Sequence, residues 1–264
     1  MRFVFCVLLI ATPLSAQQFS ITAGGYLGDF GTQLRVDPHI EGLQGTTIDL
    51  EKDLGLQSTR TLSRFALDWQ PFRKHELEVS YVRTKRAADR VINRQIVYKD
   101  TTFPVQAHVR SEFNIDFWQA TYTYWLHQSD RTGFGFNLGV TGMKLNGKLQ
   151  ARNASTEAVL FDETASTNFP VPEIGLDGRF QIANKLIVAA RASVLPRVSI
   201  TDYEGEAYVG KFSIEYRVVP RIGIGIGYNY LNINGTAEQP EFHADVDMTV
   251  SGVEGFVRFV FVAR

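Results

Sequence analysis

The sequence predicts an all-β fold, a transmembrane antiparallel up-and-down β-barrel of about ten strands. Three observations support this prediction. Apolar and polar residues alternate in one segment after another, as in strands with one apolar and one polar face. The connections between these segments are alternately long and short. A short apolar leader opens the chain, and no later apolar run is long enough to cross a bilayer as a helix.

The N-terminal segment has the features of a secretory signal peptide. Arg2 provides a positive start, residues 3–11 form a short apolar run, and Ala16 precedes the predicted cleavage site. We therefore divide the chain into a signal peptide over residues 1–16 and one barrel domain over residues 17–264. Export and a barrel together indicate the outer membrane as the location.

Composition argues against two classes of function. The chain carries 27 Lys and Arg residues against 28 Asp and Glu residues, whereas nucleic-acid binding favours a basic surface. We therefore expect no nucleic-acid partner. Cys6 is the only cysteine and lies in the leader, so the chain without its leader has neither a disulfide framework nor thiol chemistry.

The hairpin over residues 173–194 shows the alternation most clearly. Ile174 and Leu176 alternate with Glu173 and Asp177, and a short polar turn leads into a second alternating run. In a soluble hairpin the apolar face would pack on a core. Here the pattern repeats along the whole chain behind a leader, which favours a closed barrel with lipid outside and a polar lumen inside.

Ten segments show this pattern, and roughly 9–11 residues are enough to cross the hydrocarbon when a strand is tilted. They are residues 19–30, 61–70, 75–83, 113–126, 133–145, 173–182, 186–194, 208–218, 221–231 and 248–262. In the second segment, for example, Phe65 and Leu67 oppose Arg64 and Asp68. The register of the fourth segment is ambiguous near residues 115–118, where a bulge could re-phase the two faces.

The connections set the orientation and the strand count. The predicted loops are residues 31–58, 84–110, 146–168, 199–206 and 232–247, and short polar turns separate the other strands. Bacterial barrels have long extracellular loops, short periplasmic turns, an even strand count and periplasmic termini, and ten strands satisfy this pattern. Eight or twelve strands remain alternatives, because strands in loops resemble strands in the membrane; residues 91–98 could extend the third strand.

Aromatic residues collect beside the short turns. Such a cluster is typical of the girdle that a barrel forms at a membrane interface. The predicted girdle consists of Trp69, Tyr124, Trp125, Phe134, Phe180, Tyr216 and Phe261. Aromatic residues in the core of a soluble sandwich would not be grouped at one end of the strands.

Three passages resemble a recurrent, largely uncharacterised family of small Gram-negative outer-membrane β-barrel proteins. They are G-T-T-I-D-L-E-K-D-L-G-L at residues 45–56, F-P-V-P-E-I-G-L-D-G-R-F at residues 169–180 and I-G-I-G-I-G-Y-N-Y at residues 222–230. The resemblance extends over essentially the whole chain after the leader and implies a fold and a location, not a reaction. The last strand resembles the signal read by the barrel-insertion machinery, with Val257, Phe259 and Phe261 alternating, but it ends in Val-Ala-Arg instead of a terminal Phe.

The inward faces carry as many acidic as basic residues. They are Arg64, Asp68, Glu76, Glu78, Glu173, Asp177, Arg179, Arg191, Lys211, Glu215, Arg217, Arg221, Glu254 and Arg258, seven of each sign. A selective pore requires a ring or ladder of one sign, whereas a balanced set can pair across a narrow lumen, and an unpaired buried charge costs several kcal/mol. We predict a packed network of ion pairs; in the alternative, a wider lumen, water solvates the same residues singly.

Residues with catalytic potential are sparse. In an extended segment His108 and Glu112 share a face and Ser111 lies on the other, so a His–Glu pair is conceivable and a His–Ser pair is disfavoured. A solvated loop histidine explains His108 equally simply. No catalytic residue is predicted.

The first loop carries Asp49, Glu51 and Asp53 at alternating positions. Carboxylates on one side of an extended segment can hold a divalent cation. We favour instead an acidic loop whose apolar residues, including Ile48 and Leu50, pack over the barrel mouth. No metal site and no cofactor are predicted.

Three classes of function remain open. The first is a non-enzymatic barrel with a closed or narrow polar lumen, in a structural or surface-binding role through long extracellular loops. The second is a narrow pore for small or apolar solutes, and the third is a lipid-acting outer-membrane enzyme. The expected partners are outer-membrane lipid, lipopolysaccharide and the barrel-insertion machinery, and a monomer is expected.

Overall fold

A computed structural model describes residues 18–40, 42–99, 101–152, 158–200 and 202–262. The predicted signal peptide over residues 1–16, with Cys6, lies outside the described residues. Within the described ranges the regular elements are β-strands. No helix in this part of the chain is long and apolar enough to cross a membrane.

Ten long strands build the described fold, and three short strands lie in its connections. The long strands are β1 (Gln18–Pro38), β3 (Thr59–Phe72), β4 (His75–Val91), β7 (His108–Gln128), β8 (Thr132–Arg152), β9 (Val159–Ala183), β10 (Leu186–Ile200), β11 (Tyr203–Val219), β12 (Ile222–Glu238) and β13 (Phe242–Val262). The short strands are β2 (Ile48–Asp49), β5 (Ile96–Tyr98) and β6 (Thr101–Phe103). Each long strand contains one of the ten segments predicted from alternation, in whole or in large part.

The long strands close into one antiparallel barrel. Each pairs with the next long strand along the chain, and β13 returns to pair with β1 from Gln18↔Val262 to Pro38↔Phe242. Closure satisfies the backbone groups that an open sheet edge would leave without partners in lipid. The predicted up-and-down barrel of about ten strands is confirmed.

The outer wall of the barrel is an apolar belt. Leu27, Phe65 and Ile226 expose 58%, 58% and 63% of their surface, although side chains of this kind are usually buried in soluble proteins. At the end of the belt away from the short turns, Tyr81, Trp118, Tyr208 and Tyr230 form a second outward row of aromatic residues. The sequence prediction missed this row. Barrels carry such rows at both interfaces of an apolar band.

The strands run well past the belt at the long-loop end. Three ranges that were predicted to be loops, 146–168, 199–206 and 232–247, are largely strand in their described residues. For example, β12 and β13 pair as far as Glu238↔His243. The prediction was wrong because the phase of the alternation reverses outside the membrane. Apolar residues such as Leu145 and Leu149 face inward and polar residues face outward, which is the opposite of the pattern in the belt. We call this part the projection; among the described residues it comprises 28–62, 83–117, 143–172, 195–208 and 231–252.

The projection splits into two sheets because prolines end one ladder. β9 pairs with β8 along most of its length, but with β10 only as far as Ile174↔Val194. Continuing that register would place Pro172 opposite Pro196, and neither residue has an N–H to donate. On the other side of the barrel, β3 and β4 pair only as far as Ser63↔Arg83.

The faces of β7 alternate without interruption through residues 115–118. β7 pairs continuously with β4 over this stretch and with β8 as far as Trp125↔Gly135, and its register shift lies between Trp125 and His127. The bulge that was considered near residues 115–118 is therefore absent there. Ile115 and Phe117 point into the lumen because the lumen at that height is apolar.

Candidate functional site: the filled lumen

Three layers of side chains fill the lumen, one above the other. Nearest the short turns is the lumen network of charged and polar residues. Above it is the apolar layer, which consists of Tyr26, Phe30, Leu62, Ile115, Phe117, Met143, Met248 and Val250. At the top is the mouth cluster, which consists of Ile48, Leu50, Leu54, Leu56, Ile92, Ile96, Phe103, Ala107, Val109 and Ala151.

Glu78 is the hub of the lumen network. Its Oε1 accepts a hydrogen bond from Arg64 Nη2 at 3.3 Å and lies 3.5 Å from Lys211 Nζ, and its Oε2 accepts one from Arg191 Nη1 at 3.1 Å. Glu78 comes from β4, whereas Arg191 and Lys211 reach it from β10 and β11. A single carboxylate therefore links opposite walls of the barrel.

The arginines at this hub each hold a second carboxylate. Arg191 Nε lies 2.7 Å from Asp177 Oδ1, and Arg64 Nη1 lies 3.1 Å from Glu254 Oε1. The side chains of Arg191 and Asp177 are each only 8% exposed. Pairing at this depth offsets the cost of removing the charges from water.

A second centre forms around Glu76 near the short turns. Arg179 Nη2 donates to both carboxylate oxygens of Glu76, at 3.1 and 3.0 Å, and Trp125 Nε1 donates to Oε2 at 3.1 Å. The Arg179 guanidinium also lies 4.9 Å from the centroid of the Trp125 ring. This stacking on an indole face adds a cation–π contact to the ion pair.

Glu173 is held by neutral groups. Gln119 Nε2 donates to both of its oxygens, at 2.7 and 2.9 Å, and the Thr121 and Thr141 hydroxyls donate at 2.8 and 3.2 Å. Gln119 Oε1 in turn accepts from Lys211 Nζ at 2.7 Å. The Gln119 amide therefore links the buried Glu173 carboxylate to Lys211, which contacts Glu78.

On the β11–β13 side, Glu215 pairs with Arg258, whose Nη1 lies 3.3 Å from Glu215 Oε2. Gly223 faces this pair, and a Cβ at that position would overlap the Glu215 carboxylate. Arg217 Nε lies 3.8 Å from the other oxygen of Glu215. The glycine on β12 therefore provides the space in which the carboxylate sits.

Thirteen of the fourteen predicted lumen residues lie on the inward face. The structure brings Arg64, Glu76, Glu78, Glu173, Asp177, Arg179, Arg191, Lys211, Glu215, Glu254 and Arg258 into the contacts described above. Asp68 accepts a hydrogen bond from Ser20 Oγ at 2.8 Å, and Arg217 is at the edge of the set. Arg221 is a correction: it is exposed in the turn between β11 and β12, where the chain reverses and no inward face exists.

Six of the seven predicted girdle residues face outward. Trp69, Tyr124, Phe134, Phe180, Tyr216 and Phe261 are between 37% and 51% exposed at the short-turn end. Trp125 does not belong to this girdle, because its ring is inside the lumen and only 3% exposed. Adjacent residues of a strand point to opposite faces, so Tyr124 and Trp125 cannot both face lipid.

Arg86, which was not among the predicted site residues, lies between the apolar layer and the mouth cluster. Its fully buried side chain forms an ion pair with Glu51 and donates to Thr32 Oγ1 at 3.2 Å. The guanidinium lies 4.3 and 5.3 Å from the ring centroids of Phe30 and Phe113. Alternation along β4 places Arg86 inward, but its partner Glu51 comes from a loop whose fold the sequence pattern does not predict.

The first loop folds down into the mouth and forms part of its apolar cluster. Ile48, Leu50, Leu54 and Leu56 are each at most 5% exposed. Gly55, at a φ of +75°, lies in the turn that returns the chain, and Leu56 N donates to Leu50 O at 3.1 Å. Packing of the apolar loop residues over the mouth agrees with the arrangement that the sequence favoured.

The three acidic residues of this loop have separate cationic partners. Asp49 pairs with Lys52 at 2.9 Å, Glu51 pairs with Arg86, and Asp53 pairs with Arg94. Within the described ranges, no group of three or more His, Cys, Asp or Glu residues is placed to hold a metal ion.

His108 lies beside a different acid from the one predicted. Its Nε2 is 2.5 Å from Asp89 Oδ1 on the neighbouring strand β4. Glu112 lies instead 3.5 Å from Arg110 Nη2. The hypothetical His108–Glu112 pair is therefore not formed, because the cross-strand neighbour is closer than a residue four positions along the same strand.

Two histidines share one carboxylate at the tip of the projection. Glu238 Oε2 lies 2.6 Å from His243 Nδ1, and its Oε1 lies 3.1 Å from His39 Nε2. His243 Nε2 is also 3.1 Å from Asp245 Oδ1. The hydrogen bond to Glu238 raises the pKa of His243 above its usual 6.5, and the same bond lowers the pKa of Glu238 below 4.5.

These shifts predict a pH window for the tip of the β12–β13 hairpin. The contribution of His243 is complete below pH 6.5 and is lost as the pH rises through its raised pKa, whereas that of Glu238 is complete above pH 4.5 and is lost on acidification. Amide hydrogen exchange at the tip, corrected for intrinsic rates, should be slowest inside this window and faster at a pH of about 8. A His243→Gln variant should lose this difference, and equal protection of the wild type at both pH values would contradict the assignment.

No family model and no curated protein match the sequence. Among solved structures, the fold is similar to that of the outer membrane protease OmpT from Escherichia coli, with a TM-score of 0.55 and 11% identity over 92% of this chain and 97% of that one. The translocator domain of the autotransporter NalP from Neisseria meningitidis matches with a TM-score of 0.41 and 11% identity over 93% of this chain and 88% of that one. The similarity to OmpT shows that the chain has the fold of an outer-membrane β-barrel. At this identity it establishes the fold and not the activity.

Proposed function

We propose that this protein is an integral outer-membrane barrel with a closed lumen and that it acts through its projection, in a structural or surface-binding role. The observation that carries the proposal is the filling of the lumen by the lumen network, the apolar layer and the mouth cluster. A continuous water path would have to pass the apolar layer, and hydrophobic constrictions close pores by dewetting.

The pairing in the lumen network supports the same proposal. Its acidic and basic side chains contact each other across the lumen and do not line it as a ladder of one sign. Ion-selective pores use rings or ladders of one charge. Glu78 and its three cations therefore serve better as a crosslink between walls than as a filter.

Recording in planar bilayers tests the closed lumen. We expect the refolded wild type to give no stable conductance steps, with a known porin as the positive control and a heat-dependent gel shift to show that the barrel is folded. A Phe117→Ser/Met143→Ser variant removes two of the eight buried side chains of the apolar layer and leaves the mouth cluster and the lumen network in place, so we expect it to be silent as well. Large stable steps from the wild type would refute the closed lumen and favour the narrow-pore alternative.

In this proposal the short turns face the periplasm and the projection stands outside the cell. Outer-membrane lipid and lipopolysaccharide surround the belt of a monomer. The outward residues Phe259 and Phe261 of β13 are the features that the barrel-insertion machinery would read. Protease digestion of intact cells would test the orientation: cleavage in the projection without breaking the cells is expected, and protection of that part would contradict it.

A further inference from the structure

The outward face of the projection is organised in rows on β4, β7 and β8. These strands pair without a register shift at this level, so their outward residues are aligned across the wall. The rows, from the belt upward, are Tyr81–Trp118–Gly142, Arg83–Asp116–Lys144, Lys85–Asn114–Asn146 and Ala87–Glu112–Lys148. The first row is the aromatic end of the belt, and the next three stand directly above it.

Four exposed cations lie in these upper rows; we call Arg83, Lys85, Lys144 and Lys148 the basic face. The two acids among them are already engaged. Asp116 lies 3.2 Å from Arg83 Nε and accepts from the Tyr81 hydroxyl at 3.1 Å, and Glu112 lies 3.5 Å from Arg110. The three lysines form no ion pair with any residue that the structure describes.

The opposite wall carries the other sign. Outward residues of β1, β13, β12 and β11 form the rows Gln33–Asp247–Asn234–Glu206 and Arg35–Asp245–Thr236–Glu204. We call Glu204, Glu206, Asp245 and Asp247 the acidic face. The row beneath it is uncharged, with Gly31, Thr249, Asn232 and Tyr208. The acidic face begins directly above Tyr208 on β11 and above the uncharged Ser251 and Thr249 on β13. Asp29 of β1, which is exposed and outward, lies lower still.

We infer that the basic face binds phosphate groups of outer-leaflet lipid. The inference rests on the proposed membrane orientation. Aromatic rows mark the headgroup level of a bilayer, and the basic face begins one row above Tyr81 and Trp118. The Trp118 ring covers Gly142, where a Cβ would overlap the indole, and Lys144 follows on the same outward face of β8. Long cationic side chains lie on apolar surface with their charge at the headgroups.

The position of the basic face favours lipid over a second copy of the chain. The basic face begins one row above the aromatic end of the belt, where lipid headgroups are in contact with the wall. A second copy would have to displace these headgroups to reach it. Anionic lipid attracts each nearby Lys or Arg strongly enough to change binding severalfold.

Binding of defined lipids to the full-length refolded barrel tests the inference. The probe is lipid A with two phosphates, added to the protein in detergent and followed by native mass spectrometry. The test variant is Lys144→Gln/Lys148→Gln, and the matched control is Lys52→Gln, which removes an 84% exposed lysine in the first loop. A heat-dependent gel shift confirms that every variant is folded, and this readout does not depend on whether the lumen conducts.

We expect the double variant to bind diphosphoryl lipid A about tenfold more weakly than the wild type, with the Lys52→Gln variant unchanged. Lipid A without phosphates should bind the wild type as weakly as it binds the double variant. The inference would be overturned if the wild type and the double variant bound diphosphoryl lipid A equally. It would also be overturned if the wild type bound lipid A with and without phosphates equally. If the double variant lost a self-association that the wild type shows in ultracentrifugation, and its lipid binding were unchanged, the occupant would instead be a second copy of the chain.

Discussion

Replacing Glu78 by glutamine is expected to lower the free energy of unfolding by about 3–5 kcal/mol, the usual cost of breaking a buried ion pair on one side. The substitution keeps the shape of the side chain and removes its charge. Arg64, Arg191 and Lys211 would then share the remaining acids of the lumen network, and three cations within 3.5 Å of one position would repel each other. Urea unfolding of the barrel in lipid vesicles, followed by tryptophan fluorescence, would measure the loss.

The matched control for Glu78 is Glu112→Gln. Glu112 also lies beside an arginine, but on the exposed outer face, with 34% of its side chain accessible. Exposed pairs contribute about 0–1 kcal/mol, so this variant should unfold close to the wild type. If both variants lowered the free energy of unfolding by the same amount, the buried ion pairs of Glu78 would contribute no more to stability than the exposed pair of Glu112.

Replacing Arg86 by methionine is expected to release the first loop from the barrel mouth. The substitution leaves Glu51 without its partner beneath the mouth cluster and removes a bond to Thr32. A buried charge without a partner costs about 3–5 kcal/mol, and moving the loop into water relieves that cost. Trypsin should then cleave after Lys52 at least tenfold faster than in the wild type.

A second substitution distinguishes charge from packing. In Arg86→Met/Glu51→Leu both charges are gone, and buried ion pairs can often be replaced by apolar residues without loss. Resistance to trypsin should therefore return. If the double variant is cleaved as fast as Arg86→Met, the loop is held by the shape of the arginine and not by its charge.

The membrane-spanning wall could be predicted from sequence because lipid outside and a polar lumen inside impose a strict alternation. Phe65 and Leu67 against Arg64 and Asp68 are enough to orient β3. The projection could not be predicted, because water on the outer face allows Lys144, Asn146 and Lys148 where the belt requires apolar residues. The apolar residues of the same strand, Leu145 and Leu149, face inward, so the alternation there is opposite in phase to that of the belt.

Which residues belong to the candidate site could be predicted, but which of them contact each other could not. Alternation identifies Glu78, Arg191 and Lys211 as inward, but which residues meet depends on register across nonadjacent strands, which no local pattern contains. The apolar layer escaped prediction for a related reason. Ile115 and Phe117 point inward at a height where the lumen is apolar, so they resemble lipid-facing residues.

The prolines between β9 and β10 have a mechanical consequence. At the membrane the wall is a continuous ring of hydrogen bonds, but above Ile174↔Val194 it becomes two separate plates. The mouth cluster joins these plates, since it combines the first loop with Val109 of β7 and Ala151 of β8. Apolar contact has no preferred direction, so the relative position of the plates depends on the directional contacts of Arg86 on β4 with Glu51 and Thr32. Above the membrane, side chains of the first loop therefore take the place of the backbone ladder that joins the wall below.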